Sequence, residues 1–419
     1  MTAETDVVVI GAGAAGLAAG TRLRAAGIAF RIIEAASSPG GRAATDFTTL
    51  GVPFDLGCHW LHDARANPFT ALAARLGFRV GANNPNPRLL HLGTRFATTA
   101  ERAEADAEVD AVFEAVIAAG LAGRDTAASA AMAPPGRFGP LARHWLELMS
   151  AAGPDAISTV DFASYHDTDD NWPVLDGYGA LVLAAAGALP VTLDCPVTRV
   201  DRSGARLRLE TMQGTLTCRA AIIAVSTAVM ASGRLAFAPA LPPDLAEAFA
   251  ALPLGFAEKV ALLFEDDVFG VPERTAVDAI DPGHPARAGA SVLLRPGGVP
   301  AALIHVAGPE AQAIAADGEG ALVTFALDVL GSAFGSALKA KVKRSRVTRW
   351  ADMPYIGGAY SCALPGRAAL RARLHEPLDG RIFFAGEALG RAAFSTCHGA
   401  HLSGLAAADA ALAALRRAP

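Results

Sequence analysis

Residues 6–42, DVVVIGAGAAGLAAGTRLRAAGIAFRIIEAASSPGGR, decide the fold. The apolar run 6–10 reads as a buried strand, and Gly11, Gly13 and Gly16 come after it in the G-x-G-x-x-G spacing. Gly11 permits the tight turn, Gly13 lets a pyrophosphate approach the backbone, and Gly16 lets a helix over 14–25 lie close on the sheet. That helix opens with Ala14 and Ala15, so its N–H groups and positive dipole end make an anion site without a cationic side chain. A second strand over 29–33 delivers Glu34, about twenty residues on, where a carboxylate takes both hydroxyls of an adenosine ribose. The pattern predicts a dinucleotide-binding α/β unit.

NAD and FAD share this opening, so the residues after Glu34 have to separate them. Ala35 leads to Pro39, Gly40, Gly41 and Arg42, which add two flexible backbone positions and a guanidinium able to meet pyrophosphate oxygens as a fork. Taken with the strand before it, 34–42 resembles the second half of the FAD fingerprint of the flavin-dependent amine oxidase superfamily. The resemblance implies a cofactor set of Gly11, Gly13, Ala14, Ala15, Gly16, Glu34, Ala35, Gly40, Gly41 and Arg42 at this end. The family often carries a further basic residue where this chain reads Ala35, Ala36, Ser37 and Ser38, which implies a looser grip on the phosphates.

A chain of 419 residues is too long for one simple core and suits two domains. Its net charge of −5 and the lack of any basic block argue against nucleic acid and anionic membranes as partners. Cys58, Cys195, Cys218, Cys362 and Cys397 are odd in number and contain no C-x-x-C pair, which suggests neither a disulfide framework nor a thiolate metal site. A reduced, cytoplasmic setting is the default. With no apolar run of about twenty residues at either end, neither a signal peptide nor a membrane-spanning tail is expected.

Organisation along the chain is interleaved. After 55–62 (DLGCHWLH) and a helix at about 68–76, the β character is lost. Thr98 with Glu101 makes a capping box. Val109, Val112, Phe113, Val116 and Ile117 then recur at helical spacing, with Glu104, Asp106, Glu108, Asp110 and Glu114 read as a solvated face. Another helix, about 141–152, stops at Gly153-Pro154. The β signal returns at Val191, with a strand over 196–200, two more over 206–211 and 215–219 across a Gln213-Gly214 turn, and a separate core strand over 220–225. In FAD proteins of the superfamily such a meander caps the nucleotide domain, and the resemblance implies that Val197 meets the adenine through its backbone.

At the C-terminal end, 381–385 reads as a buried strand closed by Gly386-Glu387, and Ser395-Thr396 open a helix of small residues to about 415. The strand end puts Glu387 where it can accept hydrogen bonds from a ribityl chain. The helix N-terminus faces the pyrimidine edge of a flavin, where a positive dipole end stabilises the anionic reduced ring. The string 383–408, FFAGEALGRAAFSTCHGAHLSGLAAA, closely resembles the corresponding block of the polyamine and monoamine oxidases. His398 and His401 share a helix face without accompanying ligands, so no metal is expected.

Between the two ends, Gly57, Cys58, His59, Trp60, Leu61 and His62 resemble the polyamine oxidase loop beside the flavin, with Trp60 and His62 at its matching aromatic and histidine. In 254–264 (LGFAEKVALLF) an amine in an apolar strand is costly to bury, so Lys259 needs a partner or a water unless it snorkels to solvent from an edge strand. The family's matching lysine holds a water at flavin N5, and the resemblance gives that role to Lys259. Arg349-Trp350 through 357–361 (GGAYS) resembles one wall of the amine site, with Tyr360 at the substrate-facing tyrosine and Trp350 at an aromatic close to the isoalloxazine. Ala359 stands where monoamine oxidases carry a cysteine thioether to the flavin, which implies non-covalent FAD. The second ring of the aromatic cage falls at Thr396, leaving Phe394, Trp172 and Tyr178 to compensate. The acidic run His166, Asp167, Asp169, Asp170 and Asp176 reads either as a solvated loop or as steering for a cationic polyamine.

The sequence therefore predicts an α/β fold in which a doubly wound, Rossmann-like FAD-binding domain is built from discontinuous segments (1–80, 176–240 and 347–419). An α+β substrate-binding domain takes 81–175 and 241–346. The implied reaction is hydride removal from a carbon beside an amine nitrogen, with oxygen as electron acceptor, in a monomer or homodimer. Two alternatives stand beside it. One is a desaturase or isomerase of the carotenoid or squalene type acting on an apolar substrate, and the other is a non-catalytic flavin-binding protein.

Overall fold

Val7, Val8 and Val9 are fully buried because their strand, Ala3–Ile10, runs through the middle of an eight-stranded sheet with apolar cores on both faces. The computed structural model describes residues 3–81 and 88–417. Across this sheet the order is Ala236–Ala238, Val197–Asp201, Leu207–Thr211, Gly214–Ile223, Ala3–Ile10, Phe30–Ile33 and Val191–Thr192, with Ile382–Phe384 also paired to Gly214–Ile223. The two strands expected over 215–219 and 220–225 are one strand, Gly214–Ile223. Its early residues pair antiparallel with Leu207–Thr211 and its last three pair parallel with Ile382–Phe384, while the opposite edge stays parallel to Ala3–Ile10. Only the partner on one edge changes, so the chain completes the meander and supplies a core strand without a break.

Small residues let the helices close on this sheet. The first helix is Ala14–Ala25 and the last is Cys397–Arg417. A Cβ at Gly404 would lie 2.0 Å from the Ala15 carbonyl oxygen, which explains how the last helix reaches the phosphate-turn end of the first. Segments from both ends of the chain and its middle thus meet around one turn.

A six-stranded sheet follows the order Val342–Val347, Ala257–Phe264, Ala301–Ala307, Ala290–Leu294, Thr275–Ile280 and Arg88–Leu92. Its residues alternate. Val260, Leu262, Ile304, Val292 and Val277 face a core shared with the helix Glu319–Phe334, while Lys259, Leu303, His305, Ser291, Leu293 and Ala276 are only half-buried and line a cavity on the opposite face. Helices Thr99–Leu121, Gly139–Ser150 and Thr159–Ser164 wall that cavity. Both halves of the Thr98–Glu101 capping box are present. Among the acids expected on a solvated face, Glu108 instead accepts the Gly136 and Phe138 N–H groups at 2.8 and 2.9 Å. No helix among the described residues is long and apolar enough to cross a membrane.

Candidate active site

At the glycine turn, two of the three glycines are required by protein atoms alone. A Cβ on Gly11 (φ +102°) would lie 2.8 Å from the Ala224 carbonyl oxygen, and one on Gly16 would lie 1.9 Å from that of Gly11. Gly13 differs. Its φ of −73° suits any residue, and the nearest atom to an added Cβ is the Gly40 carbonyl oxygen at 3.9 Å. It lines the cavity with Ala14, Ala15, Ala35, Gly40 and Gly41. No side chain caps the helix Ala14–Ala25, and no acid sits in its first turn. The space beside Gly13 is therefore open at an uncapped helix N-terminus, where an anion would fit. Glu34 is held by the Ala12 and Ala36 N–H groups at 2.6 and 2.8 Å, so about two of its roughly four acceptor sites remain for ribose hydroxyls. Val197 lines the same arm, near the exposed Met212. These residues fit the adenosine and pyrophosphate of a dinucleotide.

The strap 55–62 is fixed from below. The buried Asp55 carboxylate takes the Thr45 hydroxyl at 2.6 Å, the Tyr178 N–H at 2.9 Å and His59 Nδ1 at 2.9 Å. A Cβ at Gly57 would lie 1.8 Å from the Arg42 carbonyl oxygen, and the Cys58 N–H donates to that same oxygen at 3.2 Å. The Asp55 and Gly57 carbonyls are thereby aimed at Lys259, whose Nζ donates to them at 2.8 and 2.5 Å. Ala257–Phe264 has a strand on each side, so Lys259 does not snorkel from an edge. Burial lowers its ammonium pKa, against the opposing charge of Asp55. Two of three ammonium donors are assigned and the side chain lines the cavity. Trp350 completes this unit by donating its indole N–H to the Leu56 carbonyl at 3.2 Å.

Arg42 and Glu387, expected on pyrophosphate and ribityl, meet each other. Arg42 Nη1 donates to the Ala359 carbonyl at 2.5 Å and to Glu387 Oε1 at 3.2 Å. Glu387 also accepts from the Ser361 N–H and hydroxyl at 3.1 and 2.7 Å and from the Ser395 N–H at 3.1 Å. With its acceptor sites occupied, Glu387 would bind a ribityl hydroxyl only by exchange for one of these donors. Gly386 beside it donates its N–H to the Ser403 hydroxyl at 2.9 Å. Sequence reasoning missed the support beneath: Arg371 forks onto Asp161 at 2.8 and 2.7 Å, donates to the Ser361 hydroxyl at 3.2 Å and lies over the Phe394 ring at 4.0 Å. Thr396 accepts the Gly399 N–H at 3.0 Å, so its hydroxyl holds the start of the last helix while the residue lines the cavity.

From the Val197 arm to the six-stranded sheet the cavity is continuous, with a volume of about 2020 Å³. Single-ligand pockets run to roughly 300–1,000 Å³, so there is room for a long cofactor and a separate substrate. On its floor Lys259, His305, Ser291 and Asp278 stand in register across four neighbouring strands. Tyr360 faces the cavity and donates its hydroxyl to the Leu148 carbonyl. The aromatic residues expected to replace a second cage ring divide. Phe394 lines the cavity and meets Tyr165, which sequence reasoning missed, edge-on at 5.6 Å. Tyr178 is fully buried against Phe69, and Trp172 pairs through Leu61 beneath Arg65, so neither reaches the cavity. The acidic run divides too. Asp170 and Asp176 each pair at 2.6 Å with Arg65 and Arg79, leaving Asp167 and Asp169 at the cavity. Trp60 and His62 also line it, with His62 Nδ1 held 2.5 Å from Asn171 Oδ1.

Burial pushes His144, His398 and His401 down to about 4 and His305 to about 3, and lowers His59 and His62 as well. A histidine depressed in the fold contributes stability that is present above its unfolded value of 6.5 and lost as pH falls toward 4. Glu147, pushed up to about 7 by burial, has the opposite sense, but it is one group against several. The unfolding temperature of the apoprotein should therefore drop between pH 6.5 and 4. A flat profile over that range would contradict neutral, buried imidazoles.

The family model described as flavin containing amine oxidoreductase matches residues 154–412, and one described as NAD(P)-binding Rossmann-like domain matches residues 9–76. Polyamine oxidase 4 of Oryza sativa subsp. japonica is 28% identical over 434 residues, covering 96% of this chain and 88% of its own length. Polyamine oxidase 2 of Arabidopsis thaliana is 28% identical, covering 97% and 88%. Lysine-specific histone demethylase 2 of Homo sapiens is 24% identical, covering 96% of this chain and 52% of its own. In fold, the chain matches a solved structure of a putrescine oxidase mutant redesigned in its cofactor binding, with a TM-score of 0.80 at 19% identity, over 99% of this chain and 100% of that one.

Proposed function

Since the chain belongs to the flavin containing amine oxidoreductase family and is an FAD-dependent oxidoreductase, we propose that it oxidises a carbon–nitrogen bond of a small-molecule amine, with FAD held non-covalently and oxygen as electron acceptor. The observation that carries this reading is the junction of the strap with Lys259 and Trp350, which stands where the dinucleotide arm opens into the sheet-floored chamber. Bound FAD would supply the two-electron acceptor: the carbon beside nitrogen gives up a hydride and the nitrogen a proton, water hydrolyses the imine, and oxygen takes both electrons as hydrogen peroxide.

The chain's own part is binding, orientation and electrostatics. The helix end at Gly13, Ala14 and Ala15 would hold the pyrophosphate and Glu34 the ribose, while Gly57, Cys58, Trp60 and Trp350 border the ring site. Lys259 has one donor left to position a water there. Tyr360, Tyr165 and Phe394 supply aromatic walls that exclude water, and His62 borders the same chamber. Ala359 has no sulfur, which supports non-covalent attachment. The sheet of Ala3–Ile10 would belong to the FAD-binding domain and that of Ala257–Phe264 to the substrate-binding domain.

The test is anaerobic mixing of the FAD-loaded protein with a panel of amines, amino acids and polyamines while the oxidised flavin band is followed. At least one class should bleach the band within the mixing experiment. A band that stays oxidised with every amine would end the amine oxidase reading.

A further inference from the structure

Several of the charges around the cavity are paired. Arg42 meets Glu387, and Arg371 meets Asp161. Asp278 takes Arg88 at 3.1 Å, Arg102 at 3.4 Å and the Ser291 hydroxyl at 2.9 Å. Arg274 lines the same cavity but forms no ion pair among the described residues, and its Nη2 is enclosed without a hydrogen-bond partner. The adjacent Glu273 is exposed, and residues 82–87 (ANNPNP) contain no acid. A second enclosed and unpartnered nitrogen lies in this corner: Nε2 of His59, a ring near enough to Arg274 to feel its charge.

A guanidinium nitrogen enclosed without an acceptor, as Nη2 of Arg274 is, costs free energy unless a ligand supplies one. The buried carboxylates that could receive a second ammonium, Asp278, Asp161 and Asp55, already hold guanidinium, hydroxyl or imidazole donors. The unpaired acids at the cavity, Asp167 and Asp169, are exposed, so a second ammonium gains little from them, whereas a carboxylate meets the fork geometry of the Arg274 guanidinium.

Building on the amine oxidase reading above, we propose that Arg274 seats a carboxylate carried by the substrate, so that the preferred substrate is a carboxylate-bearing amine and not a diamine.

Two measurements separate this proposal from the reading beneath it. In the first, 5-aminopentanoate, norvaline and 1,5-diaminopentane are compared anaerobically. One of the two carboxylate-bearing amines should bleach the flavin at lower concentration than the diamine, and which one does so locates the carboxylate relative to the amine. In the second, pentanoate, which has no amine to oxidise, is titrated calorimetrically into the FAD-loaded protein. Arg274→Gln should weaken pentanoate about ten- to hundredfold, the worth of charge-assisted hydrogen bonds. Arg274→Lys keeps the charge but loses the fork, should fall between, and takes over if the glutamine variant does not fold. A diamine that outcompetes both amino acids, with pentanoate binding equally well to wild type and Arg274 variants, would overturn the carboxylate seat while leaving the amine oxidase reading intact. If no amine bleaches the flavin but pentanoate binding still depends on Arg274, the carboxylate seat stands and the amine oxidase reading is what fails.

Discussion

Gly13→Val should yield a folded, colourless protein. At φ −73° the backbone accepts a β-branched residue, and the nearest atom to a new Cβ is 3.9 Å away. Apoprotein stability should therefore change little. The added methyl groups would project into the space at the open end of Ala14–Ala25, where a pyrophosphate would lie, and overpacking against a fixed helix end costs about 1–3 kcal/mol or more. Together with lost approach to the N–H groups, this should weaken FAD about a hundredfold or more. Gly16→Ala is the control, because its Cβ would meet the Gly11 carbonyl oxygen at 1.9 Å and force the helix off the turn. That variant should lose about 3 kcal/mol or more of stability before any cofactor is added. Urea unfolding of both apoproteins and a fluorescence titration with FAD distinguish the two glycines. Wild-type FAD affinity in Gly13→Val would mean that this space is not where the phosphates sit.

Local demands of this kind are legible in a sequence, and long-range partnerships are not. The G-x-G-x-x-G spacing locates the turn because each glycine answers a local demand of backbone or close approach. The Thr98–Glu101 capping box is legible for the same reason, since both partners lie within one helical turn. Lys259 stands out as an amine in an apolar strand, but its carbonyl partners Asp55 and Gly57 lie some 200 residues away and leave no side-chain mark. Asp161 and Arg371 are separated by 210 positions and belong to no motif. His305, Ser291 and Asp278 alternate with apolar neighbours, which signals a strand facing two environments. Which face meets the cavity depends on register across four strands, and a one-residue slip would reverse it. Trp172 and Tyr178 are misplaced when aromatic character alone is the guide, because it carries no direction.

Lys259→Met should leave FAD bound and the fold intact, and should slow reoxidation of the reduced enzyme by oxygen roughly 10²- to 10³-fold, the usual loss for one preorganised electrostatic contact. Methionine fills a similar volume without charge, and its flexible chain adapts to the space between the strap and the sheet. The strap would lose two hydrogen bonds, from the Asp55 and Gly57 carbonyls, but keeps its hold through the Asp55 carboxylate, Cys58 and Trp350. Structural loosening and chemical loss can therefore be told apart. A purely structural role would show as weaker FAD binding with unchanged rates in the bound fraction. If Lys259 acts on the flavin site, the loss falls on the step in which negative charge develops on oxygen, whereas reduction by substrate, in which a hydride leaves a neutral amine, is affected less. Stopped-flow spectroscopy reads the two half-reactions separately. Lys259→Arg serves as the second probe, since it keeps a positive charge on a longer arm and should recover part of the oxygen rate. Should Lys259→Met reoxidise as fast as wild type with FAD fully bound, the lysine is a strut between sheet and strap, and the acceleration of the oxygen step must come from elsewhere in the cavity.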